Sequence, residues 1–332
     1  MIICRSPYRI SFFGGGTDYS EWFEDNGGAF LSSAINQYCY SIINFRESLN
    51  NPQYRVIWKI IEQVKDLEKI EQPIVREAIK FIKPKPSYGE YIYLGDLPSR
   101  SGIGSSSAYA VSVLHSLLKS KNENPSKTLL ANYAYHLENK ILGENIGIQD
   151  SIASSFGGFN FVKIKKNGEY TINPLLLDNS EKTSFFGRLL LIFTNEQRSA
   201  SSMAKKTIDA MEKKKKSFLI FQKMAEEAKD LISSNDFDSF GKMLKESWDL
   251  KSNLDKSMTT SKVNEIINTS KKYGALGYKL LGAGGGGFVM VFFKEGLKER
   301  FKKDFSRKLF LIDPFSDNEG TTIVENKNKF YY

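Results

Sequence analysis

The chain has 332 residues, 41% hydrophobic and 26% charged. That apolar share over this length supports a real core and excludes general disorder, and no apolar run reaches the ~18 residues of a membrane span. With 47 Lys and Arg against 38 Asp and Glu the formal charge is +9, while two histidines and two cysteines exclude a multi-imidazole centre, a zinc cluster and a disulfide framework.

The basic residues are spread along the chain, as in Lys213–Lys216, Lys271-Lys272 and Lys302-Lys303. They read as solvated helix faces, since no nucleic-acid motif accompanies them. A modest positive field also suits anionic small molecules. The opening residues carry charge where an export signal needs an apolar core, so a cytoplasmic protein with no nucleic-acid or membrane partner is expected.

Residues 1–13 and 34–45 read as strands. Residues 55–82 show helix-like spacing, broken at Pro73 and closed by Pro84 and Pro86. A short strand at 91–94 precedes Asp96-Leu97-Pro98. Helical periods follow at 105–119 and 126–142, and a helical turn at 151–156 stops at Gly157-Gly158. Residues 159–164 and 169–172 form a predicted hairpin around Asn167-Gly168. Residues 188–194 are a buried strand. One long helix or two span 199–235, with further helices at 238–254 and 261–273. Strands at 275–281 and 288–293, a helix at 297–308, and strands near Phe310 and Thr322 complete the chain. The irregular alternation predicts an α+β fold in two lobes, 1–180 and 181–332.

Three glycine-rich segments carry unusual local chemistry. In Leu97–Ala108, Gly102 and Gly104 permit a tight loop, and Ser105-Ser106-Ser107 open a helix. A helix start suits a phosphate, and hydroxyls there can ligate magnesium. A serine cap after a glycine turn explains the same residues equally well. No Gly-Lys-Ser/Thr follows, so this is no Walker loop. In Lys279–Phe288, Gly282, Gly284 and Gly287 match G-x-G-x-x-G. The strand pattern that follows argues against a dinucleotide fingerprint, which should open a helix. Either the backbone bends sharply there or something large lies against it. In Pro7–Tyr19, Gly14-Gly15-Gly16 follow a strand and bring Arg9, Thr17 and Asp18 together. Asp18 either accepts sugar hydroxyls or caps the helix beginning near Tyr19.

Together the three segments resemble the GHMP kinase superfamily, whose three motifs occur here in order. Arg9, Gly14 and Thr17-Asp18-Tyr19 match the sugar-kinase form of the first motif. Gly15-Gly16 stand where galactokinases carry Glu-His. The Gly-Gly-Gly-Thr-Asp-Tyr run and Lys279–Phe288 look most like D-glycero-D-manno-heptose 7-phosphate kinases, which phosphorylate the anomeric C1 oxygen with ATP. The resemblance implies a ribosomal-protein-S5-like N-terminal lobe, a ferredoxin-like C-terminal lobe, and a cleft between them. It implies that Ser101, Gly102, Ile103, Gly104, Ser105, Ser106 and Ser107 bind ATP. Ser106 and Glu138 would hold Mg²⁺. Asp150, twelve residues after Glu138, would act as base, and Arg9 would stabilise the γ-phosphoryl group or lower the Asp150 pKa. Gly15, Gly16, Thr17, Asp18, Gly284 and Gly285 would line the sugar pocket. Arg198, in an Arg-Ser-Ala run that similar heptose kinases share, would grip a phosphate on the acceptor. Helix-face charge for Glu138 and helix capping for Asp150 are the bland alternatives. Family members that bind ligand without turnover, and fucose- or galactose-type kinases, are the rival readings.

Overall fold

The computed structural model describes residues 1–45, 53–196 and 200–326. Strand β1 (Ile2–Phe13) is buried along most of its length and is followed by the short helix α1 (Ser20–Asn26). Strand β2 (Gly28–Phe45) is longer than its sequence pattern predicted, because residues 28–33 pair with a later strand.

Residues 55–82 depart from the expected helix. They hold the hairpin β3 (Tyr54–Ile57) and β4 (Ile61–Val64), a 3₁₀ turn at Leu67–Lys69, and helix α2 (Pro73–Ile82). Two physical reasons explain the error. Tyr54 and Val56 are buried while their neighbours are half-buried, the period of a strand. Pro73 begins the helix instead of breaking it, since its missing N–H costs nothing in the first turn. The Gln72 side chain accepts from the amides of Ile74 and Val75 as the cap.

Strand β5 (Gly89–Gly95) leads through a loop to α3 (Ser105–Ser120). Helix α4 (Lys127–Tyr135) runs on into a π-helical turn, His136–Ile141, so the expected helix over 126–142 changes its winding midway. Helix α5 (Gln149–Phe156) precedes the hairpin β6 (Phe159–Ile164) and β7 (Tyr170–Pro174). Helix α6 (Asn179–Phe186) and strand β8 (Leu189–Phe193) follow. Two helices occupy the ambiguous 199–235 stretch: α7 (Ala200–Met211) and α8 (Lys215–Ser233). Then come α9 (Phe237–Ser252), α10 (Ser261–Lys272), β9 (Ala275–Leu280), β10 (Phe288–Phe293) and α11 (Lys298–Phe305). The short β11 (Leu311–Ile312) and β12 (Thr322–Asn326) end the described chain.

The strands form two sheets. The larger runs β12-β1-β2-β5-β3-β4, with β6 and β7 added beside β2; the smaller runs β11-β8-β10-β9. Strand β12 returns from the C-terminal end of the chain to pair antiparallel with β1. The expected lobe boundary near 180 falls in α6, and Phe185 of that helix touches Phe12 and Phe159 on one side and Phe240 and Phe292 on the other. One aromatic core therefore runs through both sheets. It packs on the end of β1 through Phe12, next to the first glycine segment.

Candidate active site

The loop after β5 enters α3 through Gly104, whose φ of +74° is left-handed. No side chain caps α3, so the serines there are not acting as caps. Ser105 Oγ instead accepts from the Arg100 amide, and Ser106 Oγ donates to Glu138 Oε1 at 2.5 Å. The first-turn amides of α3 keep their positive end for an anion.

The third glycine segment lies against this loop. A Cβ on Gly102 would sit 2.4 Å from the Leu281 carbonyl oxygen, and one on Gly282 would sit 2.7 Å from Gly102 Cα. The Phe288 amide donates to the Ser101 carbonyl at 3.1 Å. Both sequence explanations for the glycines hold: Gly282–Gly287 bend through left-handed conformations, and a second backbone touches them. Strand β10 follows at once, in agreement with the argument against a dinucleotide fingerprint.

Arg9 reaches across from β1. Its Nε and Nη2 donate to the two carboxylate oxygens of Asp150 at 2.7 and 2.8 Å, and Nη1 donates to the Gly102 carbonyl at 2.6 Å. Asp150 lies in the first turn of α5, but the cap position belongs to Ile148 and carries no side-chain hydrogen bond. The carboxylate is oriented by a bidentate charge-assisted pair. It lies close enough to the loop before α3 that a Cβ on Gly104 would come 3.2 Å from Asp150 Oδ2.

Glu138 stands on the π-helical turn and is 1% exposed. Such turns concentrate at functional sites because they re-aim one side chain out of helical register. Burial pushes the carboxyl up to about 7, with Asp150 adding repulsion and the serine hydroxyls opposing. Its Oε2 is buried without a hydrogen-bond partner. One hydroxyl and a carboxylate with an orphaned oxygen fit a hard cation that takes its remaining ligands from phosphates and water. The described residues contain no cluster of three or more His, Cys, Asp or Glu side chains that would hold a metal unaided.

Asp18 is buried and caps nothing: α1 starts at Tyr19 without a side-chain cap. Its Oδ1 accepts from the Gly16 amide at 2.9 Å, its Oδ2 from Gln149 at 3.3 Å, and its backbone carbonyl from Ile148 at 3.0 Å. A Cβ at Gly147 would lie 1.9 Å from Asp18 Oδ2, so only glycine fits there. Asp18 thereby clasps the segment that presents Asp150. Burial and the neighbouring Asp150 both raise its pKa. Thr17 is fully buried with its hydroxyl between the carbonyls of Gly14 (2.8 Å) and Ala29 (2.9 Å), where it holds the turn. Ser101 and Ile103 are buried within the loop before α3, whereas Ser105 and Ser106 are not. Gly15 lies beside Ser11, Gly16 faces the Phe218 ring, Gly284 abuts Met258 and Met203, and the Gly285 amide donates to Met258. Arg198 falls outside the described residues.

The sequence profile of the GHMP kinases N terminal domain matches residues 73–158, and that of the GHMP kinases C terminal domain matches residues 225–310. The chain belongs to the GHMP kinase superfamily. It is 27% identical, over 94% of its length and 95% of the relative's, to the D-glycero-alpha-D-manno-heptose 7-phosphate kinase of Campylobacter jejuni. It is 25% identical to the galactokinase of Thermotoga maritima, over 93% of this chain and 95% of that one. Among solved structures, a D-glycero-D-manno-heptose 1-phosphate kinase from Bacteroides thetaiotaomicron superposes with a TM-score of 0.79 at 22% identity, covering 98% of this chain and 99% of that one. This GHMP kinase is a phosphotransferase that uses ATP. Among the described residues no helix is long and apolar enough to cross a membrane.

Two cations of this kinase escaped sequence reasoning. Lys279 is 4% exposed and donates to the Phe12 carbonyl at 2.8 Å, tying β9 to β1. Lys251, in the last turn of α9, donates to the Gly282 carbonyl at 2.7 Å. Desolvation lowers both pKa values, Lys251 to about 8. Lys279 stands within the third glycine segment, but nothing in that pattern separates a buried lysine from a solvated one. Lys251 lies in an ordinary amphipathic helix and carries no sequence signal.

Proposed function

We propose that this kinase transfers the γ-phosphoryl group of ATP to the anomeric C1 hydroxyl of D-glycero-D-manno-heptose 7-phosphate, yielding the 1,7-bisphosphate. The observation that carries the reading is Asp150, held by Arg9 beside a phosphate loop whose helix start has no side-chain cap. The near full-length similarity to a heptose 7-phosphate kinase supports the choice of acceptor. A cytoplasmic location suits both substrates.

Phosphoryl transfer passes through a loose transition state, so positioning and electrostatics dominate. In this reading the Ser101–Ser107 loop cradles the triphosphate with amide donors. Ser106 and Glu138 would hold Mg²⁺, which supplies charge neutralisation on the phosphate oxygens. Asp150 takes the proton of the C1 hydroxyl as its oxygen bonds to the γ-phosphorus and ADP leaves. Arg9 keeps that carboxylate oriented. Asp18 sets the position of Asp150 through Gln149, and any hydroxyl it also meets belongs to the same sugar. Arg198 would grip the acceptor's own phosphate.

The test is an acceptor panel with ATP and Mg²⁺: heptose 7-phosphate, unphosphorylated heptose, fucose and galactose, with the product position read by NMR. Heptose 7-phosphate should give the highest kcat/KM and a C1 phosphate. Preference for fucose or galactose would replace the acceptor and keep the sugar kinase. In the same panel Arg198→Ala should cost ~1.5–3 kcal/mol on the phosphorylated sugar and little on the neutral one. Equal losses on both would remove Arg198 from phosphate recognition.

A further inference from the structure

The cleft holds three cations close to Asp18 and Asp150, and they are engaged to different degrees. Arg9 has committed Nε, Nη1 and Nη2 to Asp150 and Gly102. Lys279 is enclosed and faces the Phe12 carbonyl. Lys251 is only half-buried, at the end of α9 where that helix meets the third glycine segment. Its ammonium has three N–H donors, and the Gly282 carbonyl is its one hydrogen-bond partner among the described residues. Gly282 is the residue packed on Gly102 of the phosphate loop. Lys251 therefore stands one backbone layer from the triphosphate cradle, within electrostatic reach of both Arg9 and Asp18.

We propose that Lys251 is an anion-binding residue of this cleft, offering its free N–H donors to a phosphate oxygen of a substrate. The proposal rests on the sugar kinase reading above and adds a residue that none of the three glycine motifs contains. The physical case is one of incomplete satisfaction. A half-buried ammonium with one neutral carbonyl partner has lost part of its hydration without gaining a counter-charge, and a phosphate oxygen offsets that loss with a charge-assisted bond. The opposing charges nearby are already committed. Asp150 is paired with Arg9, and Asp18 accepts backbone amides through both oxygens. The Gly282 contact aims the ammonium and leaves its other donors for a ligand. Two sources share this chemistry: the γ-phosphoryl group of ATP and the phosphate already on the acceptor.

The experiment measures kcat/KM for wild type, Lys251→Met and Lys251→Arg, on heptose 7-phosphate and on unphosphorylated heptose, from pH 6.5 to 9.5. Thermal melting confirms that each variant is folded. Lys251→Met should lose about 10- to 100-fold, the scale of a hydrogen bond to a charged group. A loss on both sugars assigns the contact to the γ-phosphoryl group, and a loss confined to the phosphorylated sugar assigns it to the acceptor. A merely structural lysine would not move the pH profile. Arg9 and Asp18 face Lys251 from the first glycine segment and Lys279 from β9; burial and Arg9 lower its pKa to about 8 while Asp18 opposes them. Wild-type activity should therefore fall as pH rises through about 8. Lys251→Arg should keep part of the activity and carry that limb to higher pH, because a guanidinium stays charged. Activity of Lys251→Met within threefold of wild type on both sugars, or a high-pH limb that does not move in Lys251→Arg, overturns the proposal. A wild type that phosphorylates no sugar at all would instead overturn the kinase reading on which it rests.

Discussion

Asp150 and Glu138 are two carboxylates placed in unlike surroundings. Asp150 is held by a guanidinium through both oxygens, whereas Glu138 is buried with one hydroxyl partner and an orphaned oxygen. That contrast separates their tests. Asp150→Asn keeps the shape and removes the carboxylate proposed to accept the proton. Turnover should drop ~10²–10⁴-fold while calorimetric ATP binding stays intact. Turnover within a few-fold of wild type would remove Asp150 from the chemistry. If Ser106 and Glu138 hold Mg²⁺ as proposed, Ser106→Ala and Glu138→Gln should each raise the Mg²⁺ concentration for half-maximal rate, because each would delete an oxygen ligand of a hard cation. If melting temperature changes while the Mg²⁺ dependence does not, the pair is structural.

At the scale of elements, the proposed phosphate loop is made by two glycine segments pressed together. Gly102→Ala adds a methyl 2.4 Å from the Leu281 carbonyl oxygen, at a φ of +82°. Gly143, which follows the π-helical turn, has a similar φ of +67° but nothing within 4 Å of its added Cβ. The comparison isolates the contact from the backbone strain. Gly143→Ala should cost ~1–2 kcal/mol from the left-handed backbone alone. Gly102→Ala should cost a further ~1–3 kcal/mol of overpacking. Urea denaturation midpoints measure both, and equal losses would show that the segments do not need their close approach. The same scale explains the failed helix over 55–82. Apolar spacing there suits either period, and the hairpin won because Val56 and Tyr54 bury against the sheet beside β5.

For the whole molecule, β12 joins the far end of the chain to β1. The junction is a buried polar cluster in which Thr321 Oγ1 lies 3.3 Å from Cys4 Sγ, 2.9 Å from Ser6 Oγ and 3.1 Å from His115 Nδ1. Burial, helped by Lys119, lowers the His115 pKa from 6.5 to about 4. The folded protein holds the neutral imidazole while the unfolded chain takes the proton. His115 therefore contributes stability that is present above pH 6.5 and lost as pH falls toward 4. The loss is at most ~3 kcal/mol, from the size of the shift. His115→Asn should flatten the fall in urea midpoint between pH 6.5 and 4.5 relative to wild type. An unchanged slope would mean that the imidazole titrates alike in both states.

Local chemistry determined much of this kinase from its sequence alone. Strands such as Leu189–Phe193 and Phe288–Phe293 are apolar throughout, a pattern that suits burial in a sheet covered on both faces. The glycine runs marked tight turns and close approach, because glycine adopts positive φ without a steric cost and has no Cβ to clash. Those runs, in their order, also carried the superfamily resemblance. Only the tertiary structure decided what the polar side chains do. Whether Asp18 caps a helix or clasps the segment before Asp150 depends on a partner 131 residues away, at Gln149. Whether Glu138 is a surface charge or a buried ligand depends on a change of helical winding that no propensity encodes. Lys251 is one lysine among many until the fold half-buries it and sets it against Gly282. Backbone preferences are set by neighbours in sequence, whereas the desolvation and pairing of a charge are set by neighbours in space.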